Sequence, residues 1–72
     1  MKLKITDHAQ YRIRERKISI EDIKSVVRNP DFSKNSVDNR YIESRKKTEN
    51  KILEVIYKKE GDVIIIITAY YL

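Results

Sequence analysis

The sequence predicts an α+β domain in which two N-terminal helices pack on one face of an antiparallel sheet of about four strands. Two segments between residues 6 and 29 carry helix N-cap signals followed by apolar residues at helical spacing. Four other segments have the β-branched composition or the alternation that is typical of strands. Because the chain has only 72 residues, we expect one domain over residues 1–72, with its elements in the order β-α-α-β-β-β.

The opening residues predict the first strand and the first helix. Residues 2–6 alternate polar and apolar side chains, which is typical of a short strand with one face on the core. Thr6 or Asp7 then caps a helix over residues 8–16. If Asp7 is the N-cap, Gln10 completes a reciprocal capping pattern three residues later.

A second helix follows a break at residues 17–18. Ser19 followed by Asp22 is an N-cap signal, and Asn29-Pro30 ends the helix because proline disfavours helical geometry in the residue before it. Four apolar side chains between these limits fall within an arc of about 120°. They form the face that we expect to pack on the sheet: Ile20, Ile23, Val26 and Val27.

The middle of the chain predicts a loop, two strands and the turn between them. Residues 31–39 are polar and predict a loop or a weak edge strand, whereas residues 40–48 predict a strand with a basic, solvent-facing end. Glu49-Asn50 predicts a hairpin turn. Residues 51–58 then alternate between two faces as a further strand.

The last strand is expected in the middle of the sheet. After a turn at Glu60-Gly61-Asp62, residues 63–72 are β-branched in their first half and apolar on both faces, as in a strand covered on both sides. The two predicted helices are enough to cover only one face of the sheet. The other face must therefore meet a partner, a second copy of the chain or a substrate.

Composition narrows the classes of function. Sixteen Lys and Arg against eleven Asp and Glu give a net charge of +5 at pH 7, which favours nucleic acid or an acidic protein as partner. The chain has no cysteine, one histidine and one glycine. These counts exclude a cysteine nucleophile, a zinc cluster and a glycine-rich phosphate loop. We expect no metal and no cofactor.

No apolar segment has the length of a membrane span. The longest apolar run, residues 63–67, is far too short to cross a bilayer, and Lys2 and Lys4 interrupt any apolar stretch near the start. The sequence therefore predicts a cytoplasmic protein that does not enter the membrane.

The first predicted helix carries the side chains that point most directly to chemistry. His8, Arg12, Glu15 and Arg16 fall within an arc of roughly 100°. One proton carrier and two guanidinium groups on one face are what a helix needs to hold a phosphate and move a proton beside it. His8 lies in the first turn, where the helix dipole disfavours a positive imidazolium, as suits a general base. The alternative is a solvated basic face with an incidental histidine.

Further candidates lie on the predicted strands. Thr68 and Tyr70 are two residues apart on the last strand and therefore share a face, with Thr68 as a candidate for substrate binding. A tyrosine that only satisfies a buried hydrogen bond is the alternative to a catalytic one. Four basic residues are either solvated charges or phosphate ligands that would bind a substrate backbone: Arg40, Arg45, Lys46 and Lys47.

These residue types predict metal-independent cleavage of RNA, in which a 2′-hydroxyl attacks its own phosphate. His8 or Glu15 would take the proton, and Tyr70 or His8 would assist the leaving group. Guanidinium groups would stabilise the charge that develops on the phosphorus centre: Arg12, Arg16 and Arg40. The prediction requires His8 and Tyr70 to line one cationic hollow.

The candidate residues form part of a longer motif. It comprises Ile5-Thr6-Asp7-His8-Ala9, Arg12 to Ser19, Asn29-Pro30, Arg40-Tyr41 and Ile67-Thr68-Ala69-Tyr70. This motif covers nearly the whole chain and resembles that of a widespread family of small bacterial and archaeal domains, which itself resembles the RelE/ParE and BrnT-type toxin superfamily. The positions that match are His8, Arg12, Glu15, Arg16, Arg40, Thr68 and Tyr70.

The resemblance implies a fold, an activity and partners. The fold would be two helices on an antiparallel sheet, and the activity that of a ribonuclease toxin. Its partners would be RNA, including ribosome-bound mRNA, and a cognate antitoxin protein that neutralises it.

Two other classes of function stay open. The chain is alternatively a non-catalytic basic module that binds nucleic acid or an acidic protein, with binding that weakens steeply with salt. It is also consistent with an interaction domain whose uncovered sheet face drives homodimerisation. In that case the charged motif is a structural network of Arg and Glu pairs.

Overall fold

The computed structural model, which describes residues 2–72, contains two helices and five strands. In chain order these are β1 (Lys2–Ile5), α1 (Asp7–Glu15), α2 (Ile20–Arg28), β2 (Phe32–Asn35), β3 (Ile42–Thr48), β4 (Lys51–Glu60) and β5 (Val63–Tyr71). The strands form one sheet in the order β1-β5-β4-β3-β2. The predicted α+β class with two N-terminal helices is confirmed.

The sheet differs from the prediction in the number and direction of its strands. It has five strands because Phe32–Asn35 pairs with β3, although all four of its side chains are exposed. An exposed edge strand needs no alternating apolar residues, so its sequence gives little signal. The sheet is also mixed, because β1 pairs parallel with β5. Parallel strands need a long crossover connection, and the elements between β1 and β5 supply one.

The last strand is interior, but it is not the middle strand. β4 occupies the middle position, and β5 lies between β4 and the edge strand β1. β1 pairs only with Val63 to Ile66. The second half of β5 is therefore paired with β4 alone.

Both helices pack on the same face of the sheet. The core comprises Ala9, Ile13, Ile18, Ile23, Val26, Leu53, Val55, Tyr57, Ile64, Ile66 and Ala69. Of the predicted α2 face, Ile23 and Val26 are fully buried, whereas Ile20 in the first turn is 38% exposed. We call the opposite side of the sheet the open face, because no helix within residues 2–72 covers it. Neither described helix is long and apolar enough to cross a membrane.

The two helix starts are fixed by hydroxyl caps. Thr6 is the N-cap of α1, and its Oγ1 accepts a hydrogen bond from the Ala9 amide at 3.1 Å. The same hydroxyl donates to the carbonyl of Ile66 at 3.3 Å, which ties the start of the helix to β5. Ser19 caps α2 as predicted, and it accepts from the Asp22 amide at 3.0 Å. Of the two alternatives for α1, the cap at Thr6 is therefore the correct one.

A β-bulge in β5 decides which side chains reach the open face. Tyr57 pairs with Ile66 and Ile56 pairs with Thr68, so Ile67 is an extra residue in the ladder. Without it, simple alternation would place Thr68 and Tyr70 on the core side together with Ile66. The bulge instead turns both hydroxyl groups to the open face, and the prediction that they share a face is confirmed.

Candidate functional site

A row of four side chains crosses the open face from β2 to β5. The register pairs Phe32 with Arg45, Arg45 with Glu54, and Glu54 with Tyr70. Residues paired in register lie on the same side of a sheet. Because Glu54 alternates with core residues on both sides of it in β4, the whole row points away from the helices. We call Arg45, Glu54 and Tyr70 the open-face triad.

The carboxylate of Glu54 joins the triad together. Tyr70 donates its hydroxyl hydrogen to Oε2 of Glu54. Arg45 donates from Nε to Oε1 of the same carboxylate at 2.6 Å. The Glu54 side chain is only 3% exposed, whereas that of Arg45 is 39% exposed. The carboxylate is therefore held in one orientation beneath two groups that solvent can reach.

The contacts within the triad shift the protonation equilibria of its members. Burial raises the pKa of Glu54, but the hydrogen bonds from Tyr70 and Arg45 together with the charge of Arg45 outweigh burial, and the pKa is lowered. The hydrogen bond to Glu54, followed by burial, raises the pKa of Tyr70 to about 12. The hydrogen bond to Glu54 also raises the pKa of Arg45. At neutral pH the triad therefore comprises a carboxylate, a protonated phenol and a guanidinium cation.

The open face around the triad is basic. Strand residues that alternate with core residues point to the open face. In the described strands, six of these residues are cationic and three are acidic. The cations are Lys2, Lys4, Lys34, Arg45, Lys47 and Lys58, and the acidic residues are Glu43, Glu54 and Glu60. Arg45 pairs with Glu54, and Nζ of Lys58 lies 3.3 Å from Oε1 of Glu60. The excess of positive charge favours a polyanionic ligand on this side of the sheet.

The candidates on α1 do not join the triad. Nη1 of Arg12 lies 3.0 Å from Oε1 of Glu15 in an ion pair within the helix. His8 is exposed, and no side chain within residues 2–72 hydrogen-bonds to it. Since α1 packs on the face opposite Tyr70, the structure does not form the predicted hollow between His8 and Tyr70. The prediction failed because it depended on the side of the sheet that Tyr70 faces, which the bulge in β5 determines.

Arg16 has a structural contact. Its Nη1 donates to the carbonyl oxygen of Ala69 at 2.8 Å. Ala69 lies in the half of β5 that β1 does not reach. Arg16 therefore fastens the end of α1 to an otherwise open stretch of strand backbone.

The predicted substrate-binding residues are divided between three places. Lys47 and Thr68 lie on the open face with the triad, since their register partners are Ile52 and Ile56. Lys46 pairs with the core residue Leu53 and therefore points to the helix side. Arg40 lies outside the strands in the loop of residues 36–41, and its side chain is 76% exposed. The three consecutive basic residues 45–47 thus do not form one patch, because neighbours on a strand face opposite sides.

Glu54 is the site residue that sequence reasoning missed. It is a single carboxylate between Leu53 and Val55, in a strand segment that is otherwise apolar from Ile52 to Tyr57. Glutamate is disfavoured in strands, and its presence there was the available signal. Its partners Arg45 and Tyr70 could not be identified without the strand register.

Comparisons with known proteins give one family match. The model of a family described as "Domain of unknown function (DUF4258)" matches residues 5–71. This range contains all three members of the open-face triad and both helices. A search of curated proteins and a search of solved structures each gave no significant match.

Proposed function

The chain belongs to the DUF4258 family, and we propose that it is a metal-independent endoribonuclease of the toxin type that cleaves RNA on its open face. The observation that carries the proposal is the open-face triad, which holds a cation, a proton donor and a proton acceptor in one row. The cation can stabilise the charge on the phosphorus centre, and the phenol and the carboxylate together can take the proton of the 2′-hydroxyl. Because His8 and Tyr70 do not line one hollow, the mechanism predicted from the sequence is given up, and this proposal assigns the catalytic role to Arg45, Glu54 and Tyr70 in place of the α1 residues.

Arg45 supplies the positive charge. A guanidinium group has five N–H donors, and the bond from Nε to Glu54 leaves those of the terminal nitrogens to bind a phosphate. Lys34 and Lys47 lie on the same face, and they would extend the positive charge along the path of a bound RNA. Electrostatic stabilisation of this kind contributes about 10² to 10³ in rate for a single donor.

Tyr70 and Glu54 together remove the proton from the 2′-hydroxyl of the RNA. Glu54 is only 3% exposed, so the 2′-hydroxyl of a bound RNA meets the phenol of Tyr70 first. The phenol oxygen accepts the 2′-proton while it passes its own proton to Oε2 of Glu54. The 2′-oxygen attacks phosphorus, the bond from phosphorus to the 5′-oxygen breaks, and water protonates that oxygen. The hydroxide so formed takes the proton of Glu54 through Tyr70, which restores the triad. The products are a 2′,3′-cyclic phosphate and a 5′-hydroxyl.

The toxin assignment draws on the motif resemblance to the RelE/ParE and BrnT-type superfamily. Two helices on one face of the sheet support this assignment, although the sheet is mixed and the resemblance implies an antiparallel one. In this proposal the substrate is RNA, including ribosome-bound mRNA in the cytoplasm. A cognate antitoxin of acidic character would complement the net charge of +5.

A second candidate function is RNA binding without cleavage. It is favoured by one observation, namely that both oxygens of Glu54 already accept hydrogen bonds from neighbouring side chains. A carboxylate whose two oxygens both accept hydrogen bonds from side chains also occurs in purely structural networks. The two candidates differ in whether the protein forms new RNA ends.

The experiment is to incubate the purified protein with single-stranded RNA in excess EDTA and to identify the product ends. The proposal predicts 2′,3′-cyclic phosphate ends from the wild type and none from Tyr70→Phe, which removes the hydroxyl while keeping the ring. Arg40→Ala serves as the matched control, because Arg40 is an exposed cation in the loop outside the strands, where it pairs with Asp38, and its loss should leave cleavage unchanged. Equal binding by wild type and Tyr70→Phe without any cleavage would favour the second candidate.

A further inference from the structure

An apolar cleft lies beside the open-face triad, and the proposed reaction does not use it. The cleft has a volume of about 190 Å³, and four of its lining residues lie on the open face, namely Phe32, Arg45, Lys47 and Ile52. The other two lining residues are Asp31 and Lys46. We infer that it binds one nucleobase of single-stranded RNA, next to the phosphate that is cleaved. This inference rests on the proposed function, because it takes RNA as the substrate.

The walls of the cleft are those of a stacking site. Phe32 is 48% exposed and Ile52 is 44% exposed, so two large apolar side chains face solvent on the open face. The guanidinium carbon of Arg45 lies 5.4 Å from the centre of the Phe32 ring. Proteins bind the bases of single-stranded RNA by stacking them on aromatic rings and on guanidinium planes.

The volume of the cleft is suited to one nucleobase. Sites for drug-sized ligands have volumes of about 300 to 1,000 Å³, and this cleft is smaller. Ile52 lines the same cleft as Phe32 and would add apolar contact to an inserted base. Since stacking uses the face that every base possesses, we expect the cleft to accept any of the four bases.

The position of the cleft connects it to the reaction. Arg45 belongs both to the cleft and to the triad, because it pairs in register with Phe32 on one side and Glu54 on the other. A nucleotide whose base occupies the cleft therefore places its phosphate at the guanidinium of Arg45. Lys47 lines the same cleft and would contact the next phosphate along the strand.

The inference is tested with a short 2′-O-methyl RNA oligomer, which the protein can bind but cannot cleave. An abasic nucleotide is moved through the oligomer one position at a time, and affinity is measured by fluorescence anisotropy. We expect one position at which removal of the base weakens binding by about tenfold, the typical effect of losing one stacked base. Phe32→Leu should weaken binding of the intact oligomer by the same factor and lose the response to the abasic position, whereas Phe32→Tyr should retain both.

The matched control is Tyr11→Leu. Tyr11 is an aromatic side chain on α1 that is 62% exposed, and it has its own arginine neighbour at 5.8 Å. Its replacement should leave RNA affinity unchanged, because α1 lies on the other side of the sheet. Since both aromatic side chains are exposed, we expect both leucine variants to fold.

The outcomes of these measurements distinguish a failure of the inference from a failure of the proposed function. If the wild type binds RNA but no abasic position matters, or if Phe32→Leu binds like the wild type, the inference is wrong and the proposed function stands. If the wild type binds no RNA, both are wrong. Binding of an acidic peptide that depends on Phe32, in the absence of RNA binding, would assign the cleft to a protein partner and would also overturn the inference.

Discussion

The hydroxyl of Tyr70 on β5 donates its hydrogen bond to Oε2 of Glu54 on β4, on the face of the sheet that the helices leave open. Glu54 is nearly inaccessible to solvent, so the phenol stands between the carboxylate and any ligand on that face. A proton that reaches the carboxylate from a bound ligand therefore passes through Tyr70.

The ionisation of Tyr70 should depend on Glu54. Glu54→Gln removes the charged acceptor that keeps the phenol protonated, so the pKa of Tyr70 should fall from about 12 toward its ordinary value of 10.0. Tyrosinate absorbance in the near ultraviolet measures this titration. The signal of Tyr70 is isolated by subtracting the titration of Tyr70→Phe, or of Glu54→Gln/Tyr70→Phe for the variant. Identical titrations of Tyr70 with and without the carboxylate would contradict the contact.

The same pKa shift predicts lost stability in alkali. The folded pKa of Tyr70 lies above the unfolded value of about 10, so between these two pH values the folded state binds more protons than the unfolded state. The contribution to stability is therefore complete below pH about 10 and is lost as pH rises through about 12. Urea unfolding across this range should show a steeper loss for the wild type than for Tyr70→Phe.

The lowered pKa of Glu54 predicts the opposite dependence in acid. Its contribution to stability is present above the unfolded pKa of 4.5 and is lost as pH falls through the lower folded value. At neutral pH, Glu54→Gln should lower the free energy of unfolding by about 1 to 3 kcal/mol, the usual effect of disturbing buried hydrogen bonds. Urea unfolding of both proteins from neutral to strongly acidic pH should show this difference shrinking. A constant difference would mean that the charge of Glu54 does not stabilise the fold.

Replacing the whole triad with apolar residues should leave the protein folded. Buried ionic groups can often be exchanged for apolar ones of similar volume without loss of stability. We therefore expect Arg45→Met/Glu54→Leu/Tyr70→Phe to unfold at a temperature equal to or above that of the wild type, measured by circular dichroism. A large drop in unfolding temperature would instead favour the interpretation of the triad as a structural network.

Arg16 should contribute to stability and not to catalysis. Arg16→Ala leaves the carbonyl oxygen of Ala69 without its donor, since Nη1 of Arg16 binds it at 2.8 Å. The free energy of unfolding should fall by about 1.5 kcal/mol, a typical value for a hydrogen bond from a charged group. Urea unfolding measures the loss, and a cleavage assay below the unfolding transition should show the wild-type rate. A slower reaction in the folded variant would show that Arg16 contributes to catalysis.

The end of α1 offers a stabilising substitution. Lys17 has φ of 55°, and the Ile18 amide donates to the carbonyl of Ile13 at 3.0 Å to close the helix. A left-handed conformation costs a residue with a side chain about 1 to 2 kcal/mol, and glycine avoids this cost. Lys17→Gly should therefore raise the free energy of unfolding by about 1 kcal/mol in urea titrations, after the entropy of the unfolded glycine is subtracted. A lower stability would show that the side chain of Lys17 contributes more than its backbone costs.

Local signals in the sequence predicted much of the fold. The cap at Ser19, the apolar face formed by Ile23 and Val26, and the two-residue turn at Glu49-Asn50 all depend on interactions within a few residues, and all three are present in the structure. The edge strand Phe32–Asn35 was predicted only as an alternative to a loop, because exposed side chains leave no pattern that separates the two. The parallel pairing of β1 depends on contacts with residues about 60 positions away, which no local pattern records.

The candidate site was predicted only in part. Tyr70 and Arg45 were named from their residue types, but their common partner Glu54 requires the register of β3, β4 and β5. The bulge at Ile67 decided which face Tyr70 occupies, and its sequence is an unbroken apolar run. His8 attracted attention as the only histidine, but it lies on a helix on the other side of the sheet.

The most direct test of the account is the initial rate of RNA cleavage in excess EDTA by the wild type, Glu54→Gln and His8→Ala. We expect the wild type and His8→Ala to cleave at equal rates and Glu54→Gln to be slower by about 10² to 10⁴, the usual contribution of general acid–base catalysis. All three proteins should bind uncleavable RNA with similar affinity. Equal cleavage by Glu54→Gln and wild type, a rate lost in His8→Ala, or no cleavage by the folded wild type would contradict the assignment of catalysis to the open face.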